Sequence, residues 1–83
     1  MKNSWIVYIL KCCDDTLYTG ITNDIDKRIQ SHNNGTGAKY TRFRTPVELI
    51  FKETCSDRSD ASKREAQIKK LSRKQKQDLV KSK

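Results

Sequence analysis

Tyr8, Tyr18, Arg28, His32 and Glu65 are the residues whose types and spacing could do chemistry in this chain. The two phenols lie ten residues apart, the arginine follows the second by ten, and the histidine comes one helical turn later. A phenol titrates near pH 10, but a neighbouring cation or metal lowers that value, so a tyrosine beside an arginine can act as a general base. The plainer reading is two half-buried strand tyrosines and an arginine whose stem lies along apolar surface. The choice depends on whether the surrounding elements bring these side chains to one place.

Trp5-Ile6-Val7-Tyr8-Ile9-Leu10 is dense in β-branched and aromatic residues and predicts a strand buried on both faces. A polar turn, Cys13-Asp14-Asp15-Thr16, leads to a second strand over Leu17-Tyr18-Thr19-Gly20-Ile21, near enough in sequence to form a hairpin. A two-residue loop would leave the tyrosines on opposite faces. The expected register instead sets Leu17 against Lys11, Tyr18 against Leu10 and Gly20 against Tyr8, because side chains alternate with a period of two. Gly20 then leaves room for an aromatic ring or a ligand.

Thr22-Asn23-Asp24-Ile25-Asp26 reads as a helix start, with cap-type residues and then acids where the helix dipole favours them. The helix is expected to end near Asn33-Asn34-Gly35. Ile25, Ile29 and His32 form its inward stripe, with Arg28 beside it. Asn34 to Thr45 is expected to be a mobile loop. Its Lys39, Tyr40, Arg42, Phe43 and Arg44 suit phosphate contact and stacking on a base or sugar.

Pro46 ends that loop. A third strand follows over Val47 to Glu53, with Val47, Leu49 and Phe51 expected to face the core. Three antiparallel strands flanked by helices give an α+β fold. Asp57-Arg58-Ser59-Asp60 opens a second helix running to about Leu71, and Ser72-Arg73-Lys74-Gln75 is a capping box that starts a short last helix. Ala61, Glu65 and Ile68 form the second helix's inward stripe. A carboxylate there calls for either a cation or a divalent metal, because burying it alone costs several kcal/mol, on the order of the usual desolvation penalty.

The chain has 83 residues, of which 34% are hydrophobic, so one domain of modest stability is expected. Its core would span about residues 4–72, with a short basic helix over 73–83. Cys12, Cys13 and Cys55 are an odd set with two adjacent members, which argues against a disulfide framework and fits a reducing compartment. Zinc is not expected, since the chain offers neither Cys-x-x-Cys spacing nor a second histidine. The apolar start is too short for a signal peptide or a membrane span, so a cytoplasmic location is expected and membrane binding is not. The net charge is +8, and from Lys63 onward nine Lys/Arg stand against Glu65 and Asp78. A basic face of this kind, which includes Lys69 and Lys70, points to a polyanion, most naturally nucleic acid, although lysine-rich tails also serve solubility alone.

Taken together, these segments resemble the GIY-YIG nuclease domain. Ile6-Val7-Tyr8 corresponds to its first motif and Tyr18-Thr19-Gly20 to its second, while Arg28 and His32 match its helical arginine and the tyrosine or histidine one turn on. The segments Gly37-Ala38-Lys39-Tyr40-Thr41-Arg42, Arg58-Ser59-Asp60-Ala61 and Ile68-Lys69-Lys70-Leu71-Ser72 look like the small stand-alone bacterial branch called YhbQ-like. The chain departs from the motifs at Ile6, where the family has glycine, and at Thr19, where it has isoleucine. Ile21 stands where the excision-repair nucleases carry lysine.

The resemblance implies a metal-dependent DNA endonuclease with low sequence specificity, acting as a monomer without a small-molecule cofactor on DNA that includes branched or single-stranded forms. It implies one divalent ion, Mg²⁺ or Mn²⁺, on Glu65. Tyr8 would be the general base, with Tyr18 as the alternative base or the residue that orients water. Arg28 would neutralise charge on the phosphate, and His32 would position a phosphate or the attacking water. Lys39, Tyr40, Arg42, Arg44, Lys69 and Lys70 would contact DNA. Two other classes stay open: a nucleic-acid-binding module that cuts poorly, and an RNA or protein interaction domain on the same fold.

Overall fold

The computed structural model describes residues 4–39 and 41–81. Three strands and three helices follow in the order β1 (Trp5–Lys11), β2 (Leu17–Thr22), α1 (Ile25–Asn33), β3 (Glu48–Cys55), α2 (Arg58–Lys69) and α3 (Arg73–Lys81). The fold is α+β, with an antiparallel sheet in the order β2-β1-β3. β1 is the central strand, and cores pack against both faces of the sheet there, which explains why its sequence is apolar at nearly every position.

Alternate residues of β1 feed two cores. Val7 and Ile9 join Phe51 and Ile68 on one face, where Leu79 and Val80 of α3 also pack. Tyr8 and Leu10 join Cys12 and Val47 on the other, against Ile25 and Ile29 of α1. The hairpin adopts the expected register, with Tyr8 opposite Gly20, Leu10 opposite Tyr18 and Lys11 opposite Leu17. Its loop places Asp15 at φ 69°, a left-handed conformation that aspartate tolerates better than most residues.

β3 corrects one expectation. The pairing with β1 slips between Ile9 and Leu10, so Phe51 lies opposite Ile9 while Leu49 lies opposite Leu10. Ile50 is the extra residue of this bulge. An added residue inverts the alternation, so Phe51 enters the core with Ile9 and Ile68, whereas Val47 and Leu49 stay with Tyr8 and Leu10.

The helix ends follow their cap chemistry. Lys27 N–H donates to the Asp24 carboxylate at 3.2 Å, and Asp60 N–H donates to Asp57 at 2.9 Å. Both arms of the capping box form before α3: Ser72 N–H donates to Gln75 Oε1 at 2.9 Å, and Gln75 N–H donates to Ser72 Oγ at 3.1 Å. Arg64 ties α2 to β3 through Glu53 at 2.8 Å.

The segment between α1 and β3, expected to be a mobile loop, is instead fastened repeatedly. Val47 N–H donates to Asn33 Oδ1 at 2.7 Å, Cys13 N–H to the Arg44 carbonyl at 3.0 Å, and Arg44 Nε to Asp14 at 3.0 Å. Thr41 is fully buried.

Candidate active site

The site begins with the β1–β2 register, which sends Tyr8 and Tyr18 to the sheet face covered by α1. Their ring centroids are 6.4 Å apart. About one turn into α1, Arg28 donates from Nε to Tyr8 Oη at 3.4 Å, and Tyr18 also acts on its guanidinium. His32, a turn further, lies with Nε2 3.0 Å from Tyr8 Oη and stacks edge-on to Tyr18 at 5.2 Å. The helix stripe and the hairpin register thus bring four of the expected residues together.

Thr41 is the partner of the histidine's other ring nitrogen. Its hydroxyl donates to the Ala38 carbonyl at 3.2 Å, so towards His32 Nδ1, 2.7 Å away, it is an acceptor. With the Thr41 hydroxyl directed at Ala38, the proton-bearing ring nitrogen is Nδ1. Nε2 is left as an acceptor, and Tyr8 donates its phenolic proton to it.

Two glycines make this packing possible. A Cβ on Gly20 would lie 2.7 Å from Tyr8 Oη, and one on Gly37 would lie 2.8 Å from His32 Cα. Gly20 was expected to leave space for an aromatic ring and does. Gly37 and Thr41 were not singled out for the site, because each acts on His32 through the path of the loop, which has no periodicity to read.

Burial pushes the Tyr8 phenol above its usual range, with the Arg28 hydrogen bond working against that rise and the charges of Tyr18 and Glu65 adding to it. Burial, and then the charge of Arg28, hold His32 down to about 4 from 6.5. Arg28 is raised, chiefly by its hydrogen bond to Tyr8. At neutral pH the cluster holds a neutral phenol, a neutral imidazole and one guanidinium.

Glu65 projects from α2, near enough for its charge to act on Tyr8. It is not buried alone: Lys69 Nζ lies 3.2 Å from its carboxylate, one helical turn on, and the glutamate side chain is 23% exposed. Lys69, expected to contact DNA, is thus engaged with Glu65. The donor set fits a hard divalent cation that takes one carboxylate and fills its remaining positions with water and phosphate oxygens. It does not fit a metal that needs a cage of protein ligands, as the described residues contain no cluster of three His, Cys, Asp or Glu side chains.

The other expected contact residues are dispersed. Lys39 and Lys70 are exposed, and Arg42 lies 5.4 Å over the ring of Phe43, itself 87% exposed. Arg44 is paired with Asp14 and fastens the loop to the hairpin turn. Tyr40 lies outside the described residues. No described helix is long and apolar enough to cross a membrane.

The family description "GIY-YIG catalytic domain" matches residues 4–78. A UPF0213 protein of Desulfotalea psychrophila is 58% identical over 98% of this chain and 74% of its own length, and one from Clostridium perfringens is 57% identical over 93% and 83%. Their names state no activity. Among solved structures, a UPF0213 protein of Bacillus halodurans aligns with a TM-score of 0.63 at 44% identity, covering 96% of this chain and 85% of that one. A protein of E. faecalis aligns at 0.66 and 45%, covering 99% and 90%. By this match and these relatives, the chain belongs to the GIY-YIG family of nuclease-like domains.

Proposed function

We propose that this protein hydrolyses phosphodiester bonds in DNA with the help of one divalent ion, Mg²⁺ or Mn²⁺, and with little sequence preference. The observation that carries this reading is the Tyr8 hydroxyl, approached by Arg28 on one side and His32 on the other. Tyr8 passes its proton to His32 Nε2 and takes one from the attacking water. The water oxygen bonds to phosphorus as the bond to the leaving oxygen breaks.

Arg28 stabilises negative charge both on the phenolate and on the pentacoordinate phosphate. In the unliganded site, burial and then the Arg28 charge keep His32 a poor proton acceptor. An incoming phosphate offsets that charge and makes the transfer easier, which couples proton movement to the presence of substrate. Glu65 would hold the divalent ion after releasing Lys69, and the bound ion would neutralise the carboxylate and polarise the phosphate. Tyr18, its ring 6.4 Å from that of Tyr8, acts on the same guanidinium.

Glu65→Gln tests the reading. The Lys69 pair is partly exposed and worth no more than about 0.5 kcal/mol, so a purely structural Glu65 predicts a small loss of stability and unchanged nicking. The proposed role predicts that nicking with Mg²⁺ or Mn²⁺ stops while metal-free DNA binding holds or improves, since an anion facing the phosphate is gone. Undiminished nicking by Glu65→Gln would remove the metal role. The Glu65–Lys69 pair also favours a second reading, a binding module whose carboxylate is permanently occupied. In that case a Mg²⁺ titration leaves the Glu65 and Arg28 resonances unmoved.

A further inference from the structure

Two clefts meet end to end along the free edge of β2. Leu17 and Lys76 line both of them. At one end the groove is bounded by Tyr18 and Lys69, and at the other by Thr16 and Arg73. β2 is an edge strand, so no further strand of the sheet closes this side.

One end of the groove therefore adjoins the candidate active site, since the Tyr18 ring packs against Tyr8 and His32 and Lys69 is paired with Glu65. The other end reaches the hairpin turn. Arg73 and Lys76 stand three residues apart on α3, which puts their side chains on one face of that helix. No carboxylate lines either cleft, and among the described residues neither Arg73 nor Lys76 has an ion-pair partner. Arg73 and Lys76 repel one another across this concavity, with Lys69 held by Glu65 at its far end, and a chain of phosphates relieves that repulsion. Leu17 supplies an apolar floor, the surface on which a sugar packs.

We infer that this groove is a sugar–phosphate track, holding the nucleic-acid strand on one side of the scissile bond, with Arg73 and Lys76 on its phosphates and Leu17 under a sugar. The identity of the polyanion rests on the nuclease reading above; the path over the β2 edge does not. The track explains why the capping box matters beyond stability: it fixes the first turn of α3, which presents both cations.

The test is binding of a labelled DNA duplex to the full chain in EDTA, as a function of NaCl. Wild type is compared with Arg73→Gln/Lys76→Gln and with Lys63→Gln/Lys74→Gln, which removes the same charge from α2 and α3 outside the groove. Thermal melting confirms that each variant is folded. The track predicts that the slope of log Kd against log [NaCl] falls by about two for Arg73→Gln/Lys76→Gln and changes by less than about half as much for the control. Equal losses in both variants would overturn the track and leave the nuclease reading standing. Absence of binding by wild type at any salt would overturn the track, whereas binding through Arg73 and Lys76 with no nicking when Mg²⁺ or Mn²⁺ replaces the EDTA would overturn only the nuclease reading.

Discussion

His32 is buried, and its ring hydrogen bonds are made in the neutral form, which sets a pH dependence of known sign. Its pKa is about 4 in the fold against 6.5 for a free histidine, so between these values the unfolded chain binds more protons. The neutral ring's contribution is complete above about pH 6.5 and is lost as the pH falls toward 4, to a maximum of about 3 kcal/mol. Urea denaturation of wild type and His32→Gln across this range should diverge in slope, and parallel curves would contradict the shift. Thr41 acts through the same ring. Thr41→Val leaves Nδ1–H without an acceptor in a closed site, at about 1–3 kcal/mol, and frees the other tautomer, so nicking should fall with stability. Thr41→Ser should restore both, as it keeps the hydroxyl.

The decisive contacts between elements are close approaches to backbone and ring. A Cβ at Gly37 meets the Cα of His32, a backbone atom of α1 that cannot yield without moving the helix. Gly37→Ala should cost about 1–3 kcal/mol. At Gly20 the obstacle is the end of the Tyr8 side chain, which can swing away. Gly20→Ala should therefore lose nicking far more than stability. Equal Tm losses in the two variants, with nicking retained in Gly20→Ala, would show that the Tyr8 phenol does not need its present position.

Ile9 and Leu10 are adjacent on β1, fully buried, and belong to opposite cores. Because the central strand is common to both, the molecule should unfold in one cooperative transition. Ile9→Ala and Leu10→Ala should each cost about 2–5 kcal/mol, a large share of the roughly 4–12 kcal/mol available to a chain of this size. Coincident urea transitions by Trp5 fluorescence and tyrosine near-UV circular dichroism check this. Separated transitions would mean that the two faces hold independently.

The strands, helix caps and shared face of Tyr8, Tyr18, Arg28 and His32 follow from local chemistry: a two-residue period, a 3.6-residue period and cap-type side chains, each readable within one segment. Tertiary structure alone decided what crosses between segments. The bulge at Ile50 moved Phe51 to the other core, since only the partner strand reveals an unpaired residue. The loop closed over His32 through Gly37 and Thr41, and Arg44 turned to Asp14, because the fastening points lie on other elements. Glu65 found Lys69 one turn away, a choice between available cations that its place on the inward stripe left open. The sequence by itself determined which groups could do chemistry; the packing of loop and helices determined their protonation and reach, because both depend on neighbours distant along the chain.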